Sequence, residues 1–318
     1  MTSPNLRMAV IGVGHLGQHH ARLLASLDGV DLVGVVDTKP GRAQEVASKY
    51  GGQPFTEASA ILNLVDAVSI AVPTESHVDV ALPFLERGIP TLVEKPLAAS
   101  VREADRLIEA AEKRGVVLGA GHTERFNPAV MAALPLVADP RFIEGHRLGT
   151  FPERSLDIDV IFDLMIHDLD LLLATVRSEV VSIEAVGVHV LTPRTDIANA
   201  RLRFESGCIA NLTASRISRE RVRKIRFFQH DSYVSIDFAS QEVDVYRLVR
   251  GDSSAGSGQG GRPAIQGGRM DVAKEEPLAH ELRDFVGAVR ENRQPVVSAR
   301  AGRDALELAS RIAEKMDA

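Results

Sequence analysis

The first third of the chain alternates short apolar runs with amphipathic stretches. Met8–Gly12, Leu32–Asp37, Ala67–Val72, Thr91–Glu94 and Val116–Ala120 have the nearly unbroken β-branched character of strands buried on both faces. Between them His15–Leu27, Pro40–Tyr50, His77–Arg87 and Val101–Arg114 carry a helical period, with Ser100 placed to cap the last of them. Strands alternating with helices predict a doubly wound parallel sheet over residues 1–121. Past Gly121 the rhythm changes. One helical stretch, Asp159–Thr175, precedes the strand candidates Val181–Leu191, Ala198–Phe204, Cys208–Ser215 and Lys224–His230, which are joined by short turns such as Glu205-Ser206-Gly207. That order predicts a second α/β domain over residues 122–318, built on an open-faced, largely antiparallel sheet suited to substrate binding and oligomerisation. Gly251–Gly268, rich in Gly and Ser, reads as a flexible loop without chemistry, and the helices Leu278–Arg290 and Arg300–Met316 close the chain.

Composition narrows the function classes. A length of 318 residues suits two domains, and 45% hydrophobic residues supply two cores. The net charge of −6 gives no overall attraction to nucleic acid or to an anionic membrane, so a small-molecule partner is expected. The basic run Arg216–Arg226 reads as the solvated face of a strand or helix. A single cysteine, Cys208, excludes an internal disulfide and fits a reducing compartment, and its simplest role is a small core residue. With only a few residues before an apolar strand in MTSPNLRMAVIG, no separate apolar segment with a cleavage site there, and no run of 18 uncharged apolar residues, a cytoplasmic protein is expected.

Candidate chemistry begins at Gly12-Val13-Gly14-His15-Leu16-Gly17, which follows a strand and opens a helix. In that setting Gly12 allows the tight turn, Gly14 lets backbone approach a pyrophosphate, Gly17 permits close packing, and the free amides of the helix start face the phosphate charge. Asp37, 20 residues past Gly17 at the end of the second strand, can accept both ribose hydroxyls and repels a 2′-phosphate. NAD is therefore the expected cofactor, with NADP possible if Lys39 pairs with that phosphate.

Proton chemistry is suggested at two further places. In Val93-Glu94-Lys95-Pro96, Lys95 sits at a strand's carboxyl end, where open α/β sheets bind ligands, and the following proline holds its backbone extended. An ammonium there can polarise a hydroxyl oxygen. Asp163 and His167, four apart, share one face if the stretch is an α-helix, so the carboxylate can support the imidazole as a general base. No metal is expected, because no metal-binding spacing is present. Asp168 and Asp170 read as helix-surface or substrate-contact residues.

The glycine fingerprint, the Glu-Lys-Pro tripeptide and the Asp-x-x-x-His pair, in this order, resemble the Gfo/Idh/MocA family of oxidoreductases over nearly the whole chain. The resemblance implies a Rossmann domain followed by an α/β domain with an open mixed sheet, and a homodimer or homotetramer formed through that sheet. It also implies that Lys95 and His167 are the catalytic pair, with Asp163 supporting the histidine and touching a substrate hydroxyl. Ala71-Val72-Pro73-Thr74 with His77 resembles the family loop that covers the cofactor, and Glu94 is implied beside the ribose. The reaction implied is oxidation of a sugar secondary hydroxyl: His167 takes the proton, the hydride passes to NAD, and Lys95 stabilises charge on the oxygen.

Gly121-His122-Thr123-Glu124-Arg125-Phe126-Asn127-Pro128 and the stretch Arg154–Asp170 resemble the branch acting on C3 of UDP-N-acetylglucosamine or a related nucleotide sugar, giving a 3-keto sugar. A diphosphate needs cations, which Arg125, Arg154 and the run Arg216–Lys224 offer. Alternatively, Arg125 caps a helix or pairs with Glu124, and Arg154 pairs with Glu153 or Asp157. The competing readings are a dehydrogenase of a free sugar or inositol-type polyol, a non-catalytic NAD-sensing regulator, and a redox-assisted glycosidase.

Overall fold

The computed structural model describes residues 4–151, 158–250 and 264–316. They fall into two compact units, one running to Thr123 and joined by Glu276–Glu307, the other comprising Glu124–Glu275 with the chain from Leu308 on. The single boundary expected near residue 121 is therefore supplemented by a return of the C-terminal segment to the first unit.

The first unit contains β1 (Leu6–Ile11), α1 (Gly17–Ala25), β2 (Val30–Val36), α2 (Pro40–Tyr50), β3 (Gln53–Phe55), β4 (Ala67–Ile70), α3 (His77–Leu85), β5 (Thr91–Glu94), α4 (Val101–Arg114) and β6 (Leu118–Gly121). The strands are all parallel in the order β3-β2-β1-β4-β5-β6. Strand order reverses beside β1, which opens a crevice at the carboxyl ends of β1 and β4. Met8, Ala9 and Val10 are wholly buried, which accounts for the unbroken apolar run. Ser100 caps α4 as expected, its hydroxyl accepting from the Glu103 amide at 3.3 Å.

The second unit holds α5 (Pro128–Ala133), β7 (Phe142–Leu148), a π-helical turn at Ile161–Met165 leading into α6 (Ile166–Thr175), and the strands β8 (Val180–Val188), β9 (Ile197–Phe204), β10 (Ile209–Ser215), β11 (Val222–Phe228), β12 (Ser232–Asp237), β13 (Glu242–Val249) and β14 (Ala264–Arg269). They form one eight-stranded sheet, β14-β13-β12-β11-β7-β10-β9-β8, in which β7 and β10 run parallel and the other neighbours antiparallel. The central strand β7 escapes an apolar pattern because its buried positions are Ile143, Gly145 and Arg147. α5 packs on β12 and β13 and the π turn on β10, so one sheet face is covered. The other carries an aromatic row, Phe142, Phe228, Tyr233 and Tyr246, with successive ring centroids 5.6, 5.1 and 6.1 Å apart.

Two local expectations are corrected. Ala264–Gly268 belongs to β14 and pairs with β13, whereas 251–263 lie outside the described residues. The strand is exposed, so it carries little apolar alternation, and at Gly267 (φ +144°) a Cβ would lie 2.0 Å from the Val245 carbonyl oxygen. The helix expected from Asp159 is π-wound at Ile161–Met165, so Asp163 and His167 do not have simple α-helical spacing; such turns recur at functional sites.

The closing helices are α7 (Pro277–Glu291) and α8 (Ala299–Met316), the latter beginning in the first unit and ending in the second. Leu282 and Phe285 of α7 are buried in the core that contains Met8, Val10 and Leu24. Burying side chains of this size contributes roughly 1.5–3 kcal/mol each, which holds α7 to the first unit.

Candidate active site

In the first unit the glycine turn is shaped by contact. Gly12 has φ +83°, and a Cβ there would lie 2.7 Å from the Val72 amide nitrogen; at Gly17 it would lie 1.8 Å from the Gly12 carbonyl oxygen. Gly14 differs, since a Cβ would meet nothing within 4 Å. Gly14, His15 and Leu16 are exposed, and α1 starts without a side-chain cap or an acidic residue in its first turn. Its positive end behind the exposed glycine turn thus suits a pyrophosphate. The turn borders a cleft of about 720 Å³ that also takes in Asp37, Lys39, Arg42, Val72 and Pro73. Asp37 is held in it by backbone donors, Val13 N–H at 3.1 Å and Lys39 N–H at 3.0 Å. Arg42 braces the turn through the carbonyls of Val13 (2.7 Å) and Gly14 (3.2 Å). These residues fit a dinucleotide whose ribose meets a carboxylate.

Lys95 follows β5 and is half-buried. A histidine contacts each of its chain neighbours, His20 the Glu94 carboxylate and His77 the Pro96 carbonyl. Glu94, which the resemblance puts at the ribose, is buried, accepts from the Lys95 amide at 3.1 Å, and has its other oxygen 3.1 Å from His20 Nε2; His20 Nδ1 lies 2.8 Å from Ser69 Oγ. Gly121 leaves room for this carboxylate, because a Cβ there would lie 2.8 Å from it. His77 is buried with Nδ1 3.0 Å from the Pro96 carbonyl and Nε2 3.0 Å from that of Val72, so it ties the loop at Val72-Pro73 to the segment carrying Lys95. Burial pushes its pKa below the ordinary value, with the Val72 and Pro96 carbonyls and the Glu94 charge opposing. Thr74 lies in the short 3₁₀ turn Thr74–Ser76 before α3.

In the second unit Asp163 stands in the π turn and His167 in the first turn of α6, both half-buried. Asp168 and Asp170, expected on the helix surface or against substrate, are instead buried. Arg147 of β7 grips Asp168 through Nη2 (2.7 Å) and Nε (3.1 Å), meets Glu124 at 2.8 Å, and stacks 4.9 Å from the Phe238 ring centroid. Burial lowers the guanidinium pKa, but Asp168 and Glu124 outweigh it and raise the value above normal. The Asp168 carboxyl is held above its ordinary range by burial, with Arg147 opposing. Arg125 does not pair with Glu124; its Nη1 lies 3.3 Å from Asp170. Arg154 lies outside the described residues.

The basic run is not a uniformly solvated face. Arg216 is buried, 3.5 Å from Asp196, and its guanidinium also reaches the carbonyls of Ile158 and Thr195. Asp196 accepts from the amides of Val190, Leu191 and Thr192. Burial alone would push its carboxyl up, but these amides and the Thr192 hydroxyl bring it down to about 2. Thr195 N–H donates to Asp159 at 2.7 Å, which anchors the chain entering the π turn. Lys224 pairs with Asp237 at 3.2 Å and Arg226 with Glu144 at 2.6 Å. Cys208 is buried, and burial pushes its thiol up to about 11, as befits a core residue.

Sequence reasoning missed Ser69, His20, Glu124 as a partner of Arg147, and Arg147 itself, none of which carries a local signal. Among the described residues no group of three or more His, Cys, Asp or Glu side chains could hold a metal ion, and no helix is long and apolar enough to cross a membrane.

Residues 6–122 match the model of the Gfo/Idh/MocA oxidoreductases with an NAD-binding Rossmann fold, and residues 140–230 match a Gfo/Idh/MocA C-terminal domain. The chain is 40% identical over 315 residues to UDP-N-acetylglucosamine 3-dehydrogenase of Acidithiobacillus ferrooxidans, covering 99% of this chain and 98% of that protein. A solved structure of that enzyme superposes with a TM-score of 0.90 at 39% identity over 99% of both chains. The scyllo-inositol 2-dehydrogenase (NAD(+)) of Bacillus subtilis is 31% identical over 67% of this chain and 68% of that protein. A levoglucosan dehydrogenase solved with NADH and levoglucosan shares the fold, with a TM-score of 0.86 at 18% identity over 98% of this chain and 97% of that one. The glycine turn with its carboxylate, the strand-end lysine, the open mixed sheet and these matches lead to one conclusion: the chain belongs to the Gfo/Idh/MocA family of NAD-binding oxidoreductases.

Proposed function

We propose that this enzyme oxidises the C3 hydroxyl of UDP-N-acetylglucosamine, or of a closely related nucleotide sugar, to the 3-keto sugar with NAD. The observation that carries this reading is the 40% identity over 99% of the chain to an enzyme named for that reaction. The nicotinamide, when bound, accepts a hydride at C4. Gly12, Gly14, His15, Leu16 and Gly17 hold the pyrophosphate and Asp37 the ribose, while Val72, Pro73, Thr74 and the loop tied by His77 cover the cofactor. His167 takes the proton of the substrate hydroxyl, Asp163 steadies the imidazole and contacts a neighbouring hydroxyl, and the Lys95 ammonium stabilises negative charge on the reacting oxygen. The enzyme works in the cytoplasm as a homodimer or homotetramer joined through the open sheet face. The aromatic row there, and the exposed Val186 and Val188, support that assembly.

Absorbance at 340 nm tests the reading, with NAD, UDP-N-acetylglucosamine and a keto-trapping aminotransferase, and glucose and myo-inositol as controls. NADH is expected with the nucleotide sugar alone, and Lys95→Ala or His167→Ala should lower the rate by roughly 10²–10⁴-fold. NADH formed only from the free polyol would replace the substrate, and silence with every alcohol would favour an NAD-sensing regulator.

A further inference from the structure

We propose that Arg223, on the helix-covered face of β11, anchors the diphosphate of the substrate; the inference rests on the nucleotide-sugar reading above. Strand register carries the argument. Arg223 lies directly opposite Arg147 in the β11–β7 ladder, so the two side chains emerge on the same face, the face where Ile225 and Phe227 are buried. Arg147 binds Asp168, the residue next to His167, and thereby fixes where that face meets α6.

Arg223 differs in state from four of the cations nearby. Arg125, Arg216, Lys224 and Arg226 are each matched by a carboxylate. Among the described residues the Arg223 side chain is in no hydrogen bond or ion pair, and the residue is exposed. The countercharges whose fields reach it, Glu124 and Asp168, are already engaged by Arg147. Partial burial and the positive charges of Arg147 and Arg221 hold its pKa below the usual guanidinium value, so an anion arriving there relieves repulsion between like charges. A guanidinium with its fork open to solvent suits two oxygens of a diphosphate, which a point charge would not grip in the same way. A substrate held there by its phosphates would extend its sugar towards the helix that carries His167. A free polyol has no use for such a group.

The test is binding of UDP by calorimetry, together with KM for UDP-N-acetylglucosamine and for NAD. Arg223→Gln should weaken UDP by roughly tenfold to a hundredfold and raise KM for the nucleotide sugar alike, with KM for NAD unchanged. Arg223→Lys should recover part of the loss, since it keeps the charge without the fork. Arg106→Gln makes the same charge change at an exposed position of α4 and should leave UDP affinity as it was. UDP affinity within twofold of the parent in Arg223→Gln, or an equal loss in Arg106→Gln, overturns the assignment and leaves the substrate reading standing. If the unmutated protein neither binds UDP nor oxidises the nucleotide sugar, the substrate reading itself fails and the anchor fails with it.

Discussion

The two units build their sites from different materials. The first works almost wholly with backbone: a glycine turn with no room for a Cβ at Gly12 and Gly17, amides that hold Asp37, and carbonyls that His77 bridges. The second works with charge, burying Arg147 and Asp168 beside α6, joining the half-buried Glu124 to them and pairing Arg125 with Asp170. A backbone site is constrained by room, so it fails when an atom is added. A buried ionic site is constrained by compensation, so it fails when a partner is removed.

The contrast predicts its largest stability effect in the second unit. Arg147→Met strands the Asp168 and Glu124 carboxylates and should cost about 3–5 kcal/mol in urea unfolding, with Arg147→Met/Asp168→Leu recovering part of it. A loss below about 1 kcal/mol would mean that the network is solvated, and would erase the distinction. In the first unit Gly17→Ala drives a methyl into the Gly12 carbonyl and should cost about 1–3 kcal/mol of stability along with NAD affinity. Gly14→Ala meets no protein atom, so it should weaken NAD while moving apoprotein stability by no more than about 0.5 kcal/mol. Equal melting of the two alanine variants would contradict the account of the turn.

The smallest effect near neutral pH concerns Asp196. Its folded pKa of about 2 lies below the ordinary aspartate value of 3.8, so the unfolded chain binds the proton more readily in that interval. The stability this group contributes is complete above 3.8 and is lost as pH falls towards 2. Asp196→Asn should flatten the stability curve in that window. An unchanged acid slope would show that the three amides do not hold the carboxylate as a group.

What could be read in advance followed the same division. Pro40–Tyr50, Thr91–Glu94 and Val101–Arg114 were legible to the residue, because local period and caps set their ends. β7 was not legible, since Gly145 and Arg147 occupy its covered face. Asp168 and Asp170 looked like surface residues for a related reason: nothing near them in sequence announces an arginine 21 or 45 residues away. Arg125 reads from the sequence as available for a phosphate, whereas Asp170 partners it in the fold, and three cations of the run around Arg223, Arg216, Lys224 and Arg226, are each matched by a carboxylate.

By itself the sequence determined the doubly wound sheet, the dinucleotide turn with Asp37, and the identity of Lys95 and His167 as candidate reacting groups. Each is announced by a contiguous run whose residue types or side-chain period are local. Only the tertiary structure decided which charges are neutralised, how α7 joins the first core, and which strand lies at the centre of the second sheet. Those outcomes depend on pairings across tens to hundreds of residues, where burial makes a charge find a partner, and no local pattern specifies which partner that will be.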